Sequence, residues 1–220
     1  AAAGALVDYV ALTQVGRSPR LERPQQVVAG SVMDIDRATR RNLELNRTLA
    51  GDRFGSLLSV IDETVTGAGA RLLSRRLAAP LTVACRIRDR LDAVQFFFDN
   101  TDIREYVRRT LQGSPDLERA LSRLTVGRGG PRDLAAVRDV LKLAAEIKLT
   151  ISEIENQPPK DVISAITALG CHDDLINCLS AALVTDLPLL ARDGGVITPG
   201  YSIKLDGLRG LRDNSRRTIA

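Results

Sequence analysis

The sequence feature that most constrains the fold is a single apolar stripe between residues 134 and 154. Its members recur at steps of three and four: Leu134, Val137, Leu141, Ala144, Ile147, Ile151 and Ile154. This spacing places them on one face of a helix of about six turns at 3.6 residues each. Pro131 suits the first helical position, and Asp133 complements the positive N-terminal end. We therefore predict one long amphipathic helix, ended by Gln157-Pro-Pro.

Composition favours a helical domain around this helix. Hydrophobic residues make up 44% of the 220 residues, whereas aromatic residues make up 3% and Trp is absent. Leu, Val, Ile and Ala must therefore form the core, and with Arg and Glu they favour helices over strands. We predict an all-α fold. It is a multi-helix irregular bundle with long lever-like helices and at most one short strand near the N-terminus, within residues 25–33.

Shorter apolar patterns predict the remaining helices. They cover residues 1–14, 38–49, 56–64, 70–78, 83–98, 102–111, 116–125, 160–169, 174–184 and 201–220. Ser56 and Thr66 are the predicted N-caps of two of them, and Pro80 ends the second. The segment 16–24, with two prolines, reads as an extended linker. The last helix stops without a cap, which indicates a piece of a longer protein.

Two of these helices carry specific expectations about their faces. In the 38–49 helix, we expect Leu43 and Leu45 to face inward. In the 83–98 helix, the apolar residues form one stripe at steps of four, three and four: Ile87, Leu91, Val94 and Phe98. The second pattern is typical of an amphipathic helix.

Charge permits contact with nucleic acid without requiring it. The net charge is +4, and 27 of the 31 basic residues are Arg. Residues 1–132 hold 21 basic and 15 acidic side chains, whereas residues 133–220 hold 10 and 12. No single basic run dominates, so a solvated helical surface is the favoured interpretation. The pairs that could touch phosphate are Arg75-Arg76, Arg108-Arg109 and Arg216-Arg217, and we single out Arg216 and Arg217 as nucleic-acid candidates.

The cysteines and the single histidine do not form a recognisable catalytic or metal site. Cys171, His172 and Cys178 lie close in sequence, but a structural zinc site needs four ligands, and Cys85 is distant. One histidine cannot supply every acid and base role of a nucleophile scheme. We predict no catalytic, cofactor-binding or metal-binding residues. Three cysteines also do not make a disulfide framework, which favours an intracellular protein.

Nucleotide-binding and membrane signals are missing from the sequence. There is no Gly-Lys dipeptide, which a P-loop requires. Gly67-Ala-Gly69 begins like a dinucleotide fingerprint, but Leu72 occupies the third glycine position. Apolar runs are far shorter than the roughly 18 residues of a membrane span. The carboxylate pairs Asp62-Glu63 and Asp173-Asp174 are predicted to sit at helix ends and complement the dipole.

A set of motifs in fixed order resembles the MutS family of DNA mismatch-repair proteins. The anchors are Asp36-x-x-Thr39-Arg-Arg-Asn-Leu-Glu-Leu45, Ser56-Leu57-Leu58, Asp62, Thr64-Val-Thr66, Arg71-Leu-Leu73, Leu77, Pro80-Leu81, Asp116-Leu-Glu-Arg119, Pro131-Arg-Asp-Leu134, Arg192-Asp-Gly-Gly195, Gly200-Tyr201, Leu205-Asp206 and Leu208-Arg209. Their order and spacing together are more specific than any one of them. Gly67 departs from the proline that the family often has there.

The resemblance implies a fragment that covers the core, or lever, domain. Residues 1–14 would be the end of a connector-domain helix, 15–35 the connector-to-core linker, and 36–220 the helical core with the start of a lever. The fragment would transmit ATP-driven change between an ATPase domain and a DNA clamp, both outside this chain. The parent would use ATP and Mg, bind mismatched double-stranded DNA, form a homodimer and engage a MutL-type partner in the bacterial cytoplasm, at the nucleoid. The fragment itself would be a monomer without enzymatic activity.

Two other classes of function stay open at this point. One is a stand-alone helical protein-interaction scaffold, because helical arrays bind partners along exposed grooves. The other is a small DNA-binding module that uses the basic first part of the chain, and it predicts steeply salt-dependent binding.

Overall fold

The fold is all-α in the computed structural model, which describes residues 2–13, 30–154 and 157–219, with side chains from residue 3 to residue 214. The helices are α1 (Ala2–Thr13), α2 (Arg37–Asn42), α3 (Leu57–Ile61), α4 (Gly67–Ala78), α5 (Ala84–Asp99), α6 (Thr101–Gln112), α7 (Leu117–Thr125), α8 (Pro131–Ser152), α9 (Lys160–Ala168), α10 (Asp173–Ala182) and α11 (Ile203–Ile219). A 3₁₀ turn, Ala191–Asp193, precedes α11. Isolated antiparallel bridges are the only β pairing within the described ranges. The predicted fold class is therefore confirmed.

The predicted long helix is α8, and it organises the bundle. It packs against α6, α7 and α10. Pro131 occupies its first position, and the Asp133 carboxylate accepts a hydrogen bond from the Gly130 N–H at 2.8 Å. Val137, Ile147 and Ile151 of its apolar stripe are buried. The helix ends at Ser152, earlier than the prolines that follow, so Ile154 lies just beyond it.

The main core cluster joins α5, α8 and α9. Its buried members are Phe96, Ile147, Ile151 and Val162. Phe96 and Phe97 meet edge to face, with ring centroids 5.2 Å apart and an interplanar angle of 80°. Few aromatic side chains are available, so most of this cluster is aliphatic, as the composition predicts.

The prediction of one helix over residues 38–49 is wrong. Helix α2 covers only Arg37–Asn42, with the Asp36 side chain capping its N-terminus. Glu44 has a φ of 48°, in the left-handed region that non-glycine residues rarely adopt, and it ends the helical path. The chain then turns, so Leu45 is buried at 7% exposure while Leu43 is 55% exposed. The expectation that both leucines face inward is thus wrong for Leu43.

The caps of the next two helices are confirmed. The fully buried Ser56 accepts a hydrogen bond from the Ser59 N–H, and Thr66 accepts one from the Gly69 N–H. Helix α3 is shorter than expected and ends at Ile61. Its first turn is also held by the preceding loop, because the N–H groups of Leu57 and Leu58 donate to carbonyls in the turn after α2.

A bridge ties the start of the core to the end of α4. Val32 pairs with Leu81 in an isolated antiparallel bridge. Beside it, the Met33 N–H donates to the Pro80 carbonyl at 2.7 Å. The expected short strand is therefore a single bridge where it is described. Residues 25–29 and the predicted linker 16–24 lie outside the described residues.

The described residues expose part of their apolar surface. On α5, Leu91, Val94 and Phe98 are 59%, 64% and 69% exposed. Among the described residues, no single helix is long and apolar enough to cross a membrane. One pair bent by 44°, α9 with α10, meets the length and composition test together.

Candidate functional site

The best-defined polar site lies at the base of α11. The Asp206 carboxylate accepts from the Gly200 N–H at 2.7 Å and from the Arg209 guanidinium at 2.9 Å. The same guanidinium donates to the Ile197 carbonyl at 2.8 Å. Gly200 has a φ of 85°, which turns the chain into the helix at a position that favours glycine. These three hydrogen bonds fix the direction in which α11 leaves the bundle.

The segment before α11 is joined to the end of α10. Leu183 and Ile197 form an isolated antiparallel bridge. Alongside it, the Thr198 N–H donates to the Ala182 carbonyl at 2.8 Å, and Ala182 and Leu183 are both buried. The Tyr201 hydroxyl lies 3.5 Å from the Cys178 sulfur on α10. Helix α10 and the base of α11 therefore form one connected unit.

The unit formed by α10 and α11 is connected through α8 to the first helices. Helix α10 packs on α8, and α8 packs on α7. At the other end of α7, Arg71 of α4 forms a two-pronged ion pair with the capping carboxylate of Asp116, at 2.9 and 3.1 Å. Arg71 also pairs with Glu118 at 2.8 Å. A continuous path of packed helices and ion pairs thus runs from α4 to α11.

Hydrogen bonds favour the charged forms of the ion pair between Arg71 and Asp116 and of two other carboxylates at helix ends. Hydrogen bonding to Arg71 lowers the pKa of Asp116, and the same carboxylate raises the pKa of Arg71. A hydrogen bond from the Thr39 hydroxyl lowers the pKa of Asp36 at the start of α2, and one from the Thr64 hydroxyl lowers that of Asp62. These carboxylates act as caps and ion-pair partners, because each accepts hydrogen bonds from groups that favour its ionised state.

The cysteine cluster singled out from the sequence does not form a reactive site. Cys85, Cys171 and Cys178 are free and exposed. The Cys171 thiol hydrogen-bonds to Asp173, and this contact with its negative charge raises the pKa of Cys171. A raised pKa disfavours the thiolate that a nucleophile or metal ligand requires. Within the described ranges, no group of three His, Cys, Asp or Glu side chains is placed to hold a metal ion.

The carboxylate pairs lie at helix ends, but only one complements a dipole. Asp173 and Asp174 occupy the first turn of α10, as predicted. Asp62 instead follows the last residue of α3, where a negative charge opposes the dipole. It is retained there by its ion pair with Arg53 at 2.9 Å. The prediction of dipole complementation is therefore wrong for Asp62.

The arginine pairs do not form one basic surface in the described part of the chain. Arg108 donates to the Glu63 carbonyl at 3.0 Å, which is a structural contact between α6 and the loop after α3. Arg75 and Arg76 line two different depressions of the surface. The side chains of Arg216 and Arg217 lie outside the described residues.

Sequence reasoning missed the two ion pairs that define the path. Arg71 and Asp116 both lie in motifs noted above, but 45 positions separate them, and no local pattern pairs them. Asp206 and Arg209 are three residues apart on one helix, a spacing that brings opposite charges together. That spacing was a usable signal for the base of α11.

Comparison with known proteins gives one consistent family. The family model for MutS domain III matches residues 38–218. The DNA mismatch repair protein MutS of Rhodopseudomonas palustris (strain BisB5) is 52% identical over 221 residues. Those of Nitrobacter hamburgensis and Ruegeria pomeroyi are each 50% identical, over 220 and 219 residues.

These matches cover the whole of this chain but only part of each relative. The alignments include 100% of the chain and 24% to 25% of the relatives. The chain therefore spans about a quarter of the length of the curated relatives it matches. A family model that covers most of the chain and relatives at about half identity agree, so the chain belongs to the MutS domain III family.

Proposed function

We propose that this chain is the core and lever part of a bacterial DNA mismatch-recognition protein. In this proposal, residues 1–14 end a connector-domain helix, 15–35 link it to the core, and 36–220 form the core with the start of a lever. Its role is to transmit ATP-driven conformational change between an ATPase domain and a DNA clamp. Both of those parts lie outside this chain, which by itself is monomeric and not an enzyme.

The observation that supports this role is the hydrogen-bonded base of α11. A helix can transmit movement only if its base is fixed to the body that moves it. Asp206 and Arg209 fix α11 to the segment before it, and the bridge between Leu183 and Ile197 fixes that segment to α10. Helix α10 in turn packs on α8.

The longer protein is proposed to act in DNA mismatch repair, as its relatives' name indicates. We propose that it binds mismatched double-stranded DNA, uses ATP and Mg in its ATPase domain, works as a homodimer with a MutL-type partner, and is found at the nucleoid. Arg216 and Arg217 are the residues of this chain that we propose to touch DNA.

The test is to loosen the base of α11 in the full-length protein. Arg209→Ala removes the ion pair with Asp206 and the hydrogen bond to Ile197. We expect ATP-triggered release from a mismatched duplex to slow several-fold, while ATPase activity without DNA and DNA affinity without ATP are unchanged. Stopped-flow fluorescence of a labelled duplex measures the release.

Arg212→Ala is the matched control for this test. Arg212 lies on the same helix and pairs only with its exposed neighbour Asp213 among the contacts described. We expect it to release DNA at the rate of the unmodified protein. If Arg209→Ala also releases DNA at that rate, α11 does not carry the signal and the proposal is wrong.

A stand-alone interaction scaffold is the second candidate, and one observation favours it. The exposed apolar face of α5 borders a groove of about 770 Å³. Such a groove suits a partner from another protein if no part of the same polypeptide fills it. Affinity purification followed by the cross-linking described below distinguishes the two candidates.

A further inference from the structure

The groove beside α5 is an apolar surface that the proposed function leaves unexplained. Helix α5 lines the groove with Leu91, Val94 and Phe98, and α9 lines it with Ile166, followed by Leu169 just after that helix. The floor is the core cluster, because Ile151 and Val162 of that cluster also line the groove. The three α5 side chains are each more than half exposed. An exposed patch of this kind marks an interaction surface.

The length of the groove fits a short helix. The α5 residues that line it run from Arg90 to Phe98, which is a length of about 12 Å at 1.5 Å per residue. An occupant of about two turns would match it. Helix packing of this kind needs apolar residues at steps of three and four on the occupant, in the same pattern as α5 itself.

The charged residues that line the groove are three arginines and one aspartate, Arg76, Arg90, Arg104 and Asp161. Arg76 and Arg90 form no ion pair with a described carboxylate, so the lining keeps an excess of positive charge. Burial, and then the positive charge of Arg90, lowers the pKa of Arg76, while Asp161 acts in the opposite direction. Two neighbouring guanidinium groups beside an apolar surface are complementary to carboxylates on an occupant.

The remaining length of the relatives points to a source for the occupant. The matched region is about a quarter of each relative, so about three quarters of their length lies elsewhere in the same polypeptide. A segment of the same polypeptide also has a high effective concentration at the groove, so it competes well against separate partners. We propose that the groove between α5 and α9 binds an amphipathic helix of the longer polypeptide, with acidic side chains flanking its apolar stripe.

This inference rests on the proposal that the chain is part of a longer protein, but not on signal transmission. If Arg209→Ala leaves DNA release unchanged while the groove is filled as described, transmission is wrong and the docking site stands. If the groove is not filled in this way while Arg209→Ala slows release, the docking site alone is wrong.

The experiment is site-specific photo-cross-linking in the full-length protein. The residue p-benzoylphenylalanine replaces Val94 in one sample and Val60 in the other. Val94 lines the groove and is 64% exposed, whereas Val60 lies on α3 and is 72% exposed, so the two probes are matched in residue type and exposure. Mixing isotopically light and heavy protein separates cross-links within one polypeptide from those between copies.

The expected result is a cross-link from position 94 to one segment of the same polypeptide. That segment should carry apolar residues at steps of three and four with flanking Asp or Glu, and position 60 should not reach it. The double change Arg76→Glu and Arg90→Glu should reduce the yield several-fold, and Lys in place of the segment's acidic residues should restore it.

The other outcomes overturn the inference. A cross-link to a second copy makes the groove a dimer contact, and a cross-link to another protein supports the scaffold candidate. A cross-linked segment without acidic residues contradicts the charge argument. No cross-link at position 94, or the same products from positions 94 and 60, shows that no helix occupies the groove.

Discussion

The stripes of α8 and α5 have similar spacing and opposite surroundings. On α8, Ile147 and Ile151 are buried in the core cluster. On α5, Leu91 and Val94 are more than half exposed, although they too recur at helical steps. The same helix buries Phe96, which lies off the stripe. Periodicity therefore establishes that a helix has an apolar face, whereas the position of that face in the bundle depends on which other elements are present.

The largest expected effect comes from shortening one side chain of each stripe. In the 220-residue chain, Ile151→Ala leaves a cavity in the core and should lower the free energy of unfolding by about 2–5 kcal/mol. Leu91→Ala removes an exposed side chain and should change it by no more than about 0.5 kcal/mol. Urea unfolding followed by circular dichroism measures both. Equal losses of unfolding free energy in the two variants would contradict the difference in burial between Ile151 and Leu91.

Repeating Leu91→Ala in the full-length protein sharpens the contrast. If a helix covers the groove there, the side chain is buried and its loss becomes destabilising. The change in thermal midpoint relative to the unmodified protein should then exceed the change in the 220-residue chain. A midpoint that does not move in either protein leaves the α5 stripe exposed in both.

The same contrast between buried and exposed positions applies to polar side chains. Ser56 is fully buried, caps α3 and donates to the Arg53 carbonyl at 2.7 Å. Ser56→Ala should lower the free energy of unfolding by about 1–2 kcal/mol, since it removes the cap and the hydroxyl's hydrogen bond to that carbonyl, which keeps only the bond from the Ser56 N–H. Ser164→Ala, on the exposed surface of α9, is the matched control and should be close to neutral. Denaturant titration distinguishes them, and similar midpoints for the two variants would be inconsistent with the cap.

Acid should destabilise the chain through its capping carboxylates. The pKa of Asp116 is lowered in the folded state, so its stabilising effect is full above the unfolded pKa of about 3.9 and is lost as pH falls through the folded pKa. Asp36 and Asp62 act in the same direction.

Thermal midpoints measured between pH 7 and pH 3 test this expectation. We expect the midpoint to fall below about pH 4, and Asp116→Asn to make the curve shallower. Asp186→Asn changes an exposed carboxylate without a described ion pair and should leave the curve unchanged. If Asp116→Asn does not alter the curve, the ion pair between Arg71 and Asp116 does not stabilise the fold.

The smallest expected effect concerns DNA. The arginine pairs of the described residues do not form one basic surface that could track a phosphate backbone. We therefore expect weak or no binding of a duplex by the 220-residue chain near physiological salt, and no preference for a mismatch. Filter binding across a salt series measures this, and steeply salt-dependent binding would favour the DNA-binding module.

Local sequence signals predicted where helices begin, but they did not predict what surrounds those helices in the fold. The caps at Ser56, Thr66 and Asp133 were readable because each is decided within four residues. The break after α2 was not readable, because it depends on the left-handed Glu44 and on loop contacts to α3. The ion pair between Arg71 and Asp116 was hidden for a similar reason, since it joins motifs that only the fold brings together.

The family could be identified from the sequence alone, whereas the candidate site could not. The ordered motifs were sufficient to identify the MutS resemblance, because identity depends on residue type and order alone. The base of α11 required coordinates, because the Arg209 contact with the Ile197 carbonyl spans a turn whose path the sequence does not determine. The corrections for Leu43 and for Asp62 arise from such turns as well.

We expect the bridge between Val32 and Leu81 to set off one part of the chain as a separate unit of local unfolding. It closes a loop that contains α2, α3 and α4, and the hydrogen bond from Met33 to Pro80 reinforces the closure. Opening the bridge frees both ends of the loop at once. The amides of α2, α3 and α4 should therefore lose protection together in native-state hydrogen exchange. The amides of α8 are held instead by α6, α7 and α10. They should exchange later, which would make the first three core helices a separate unit of local unfolding.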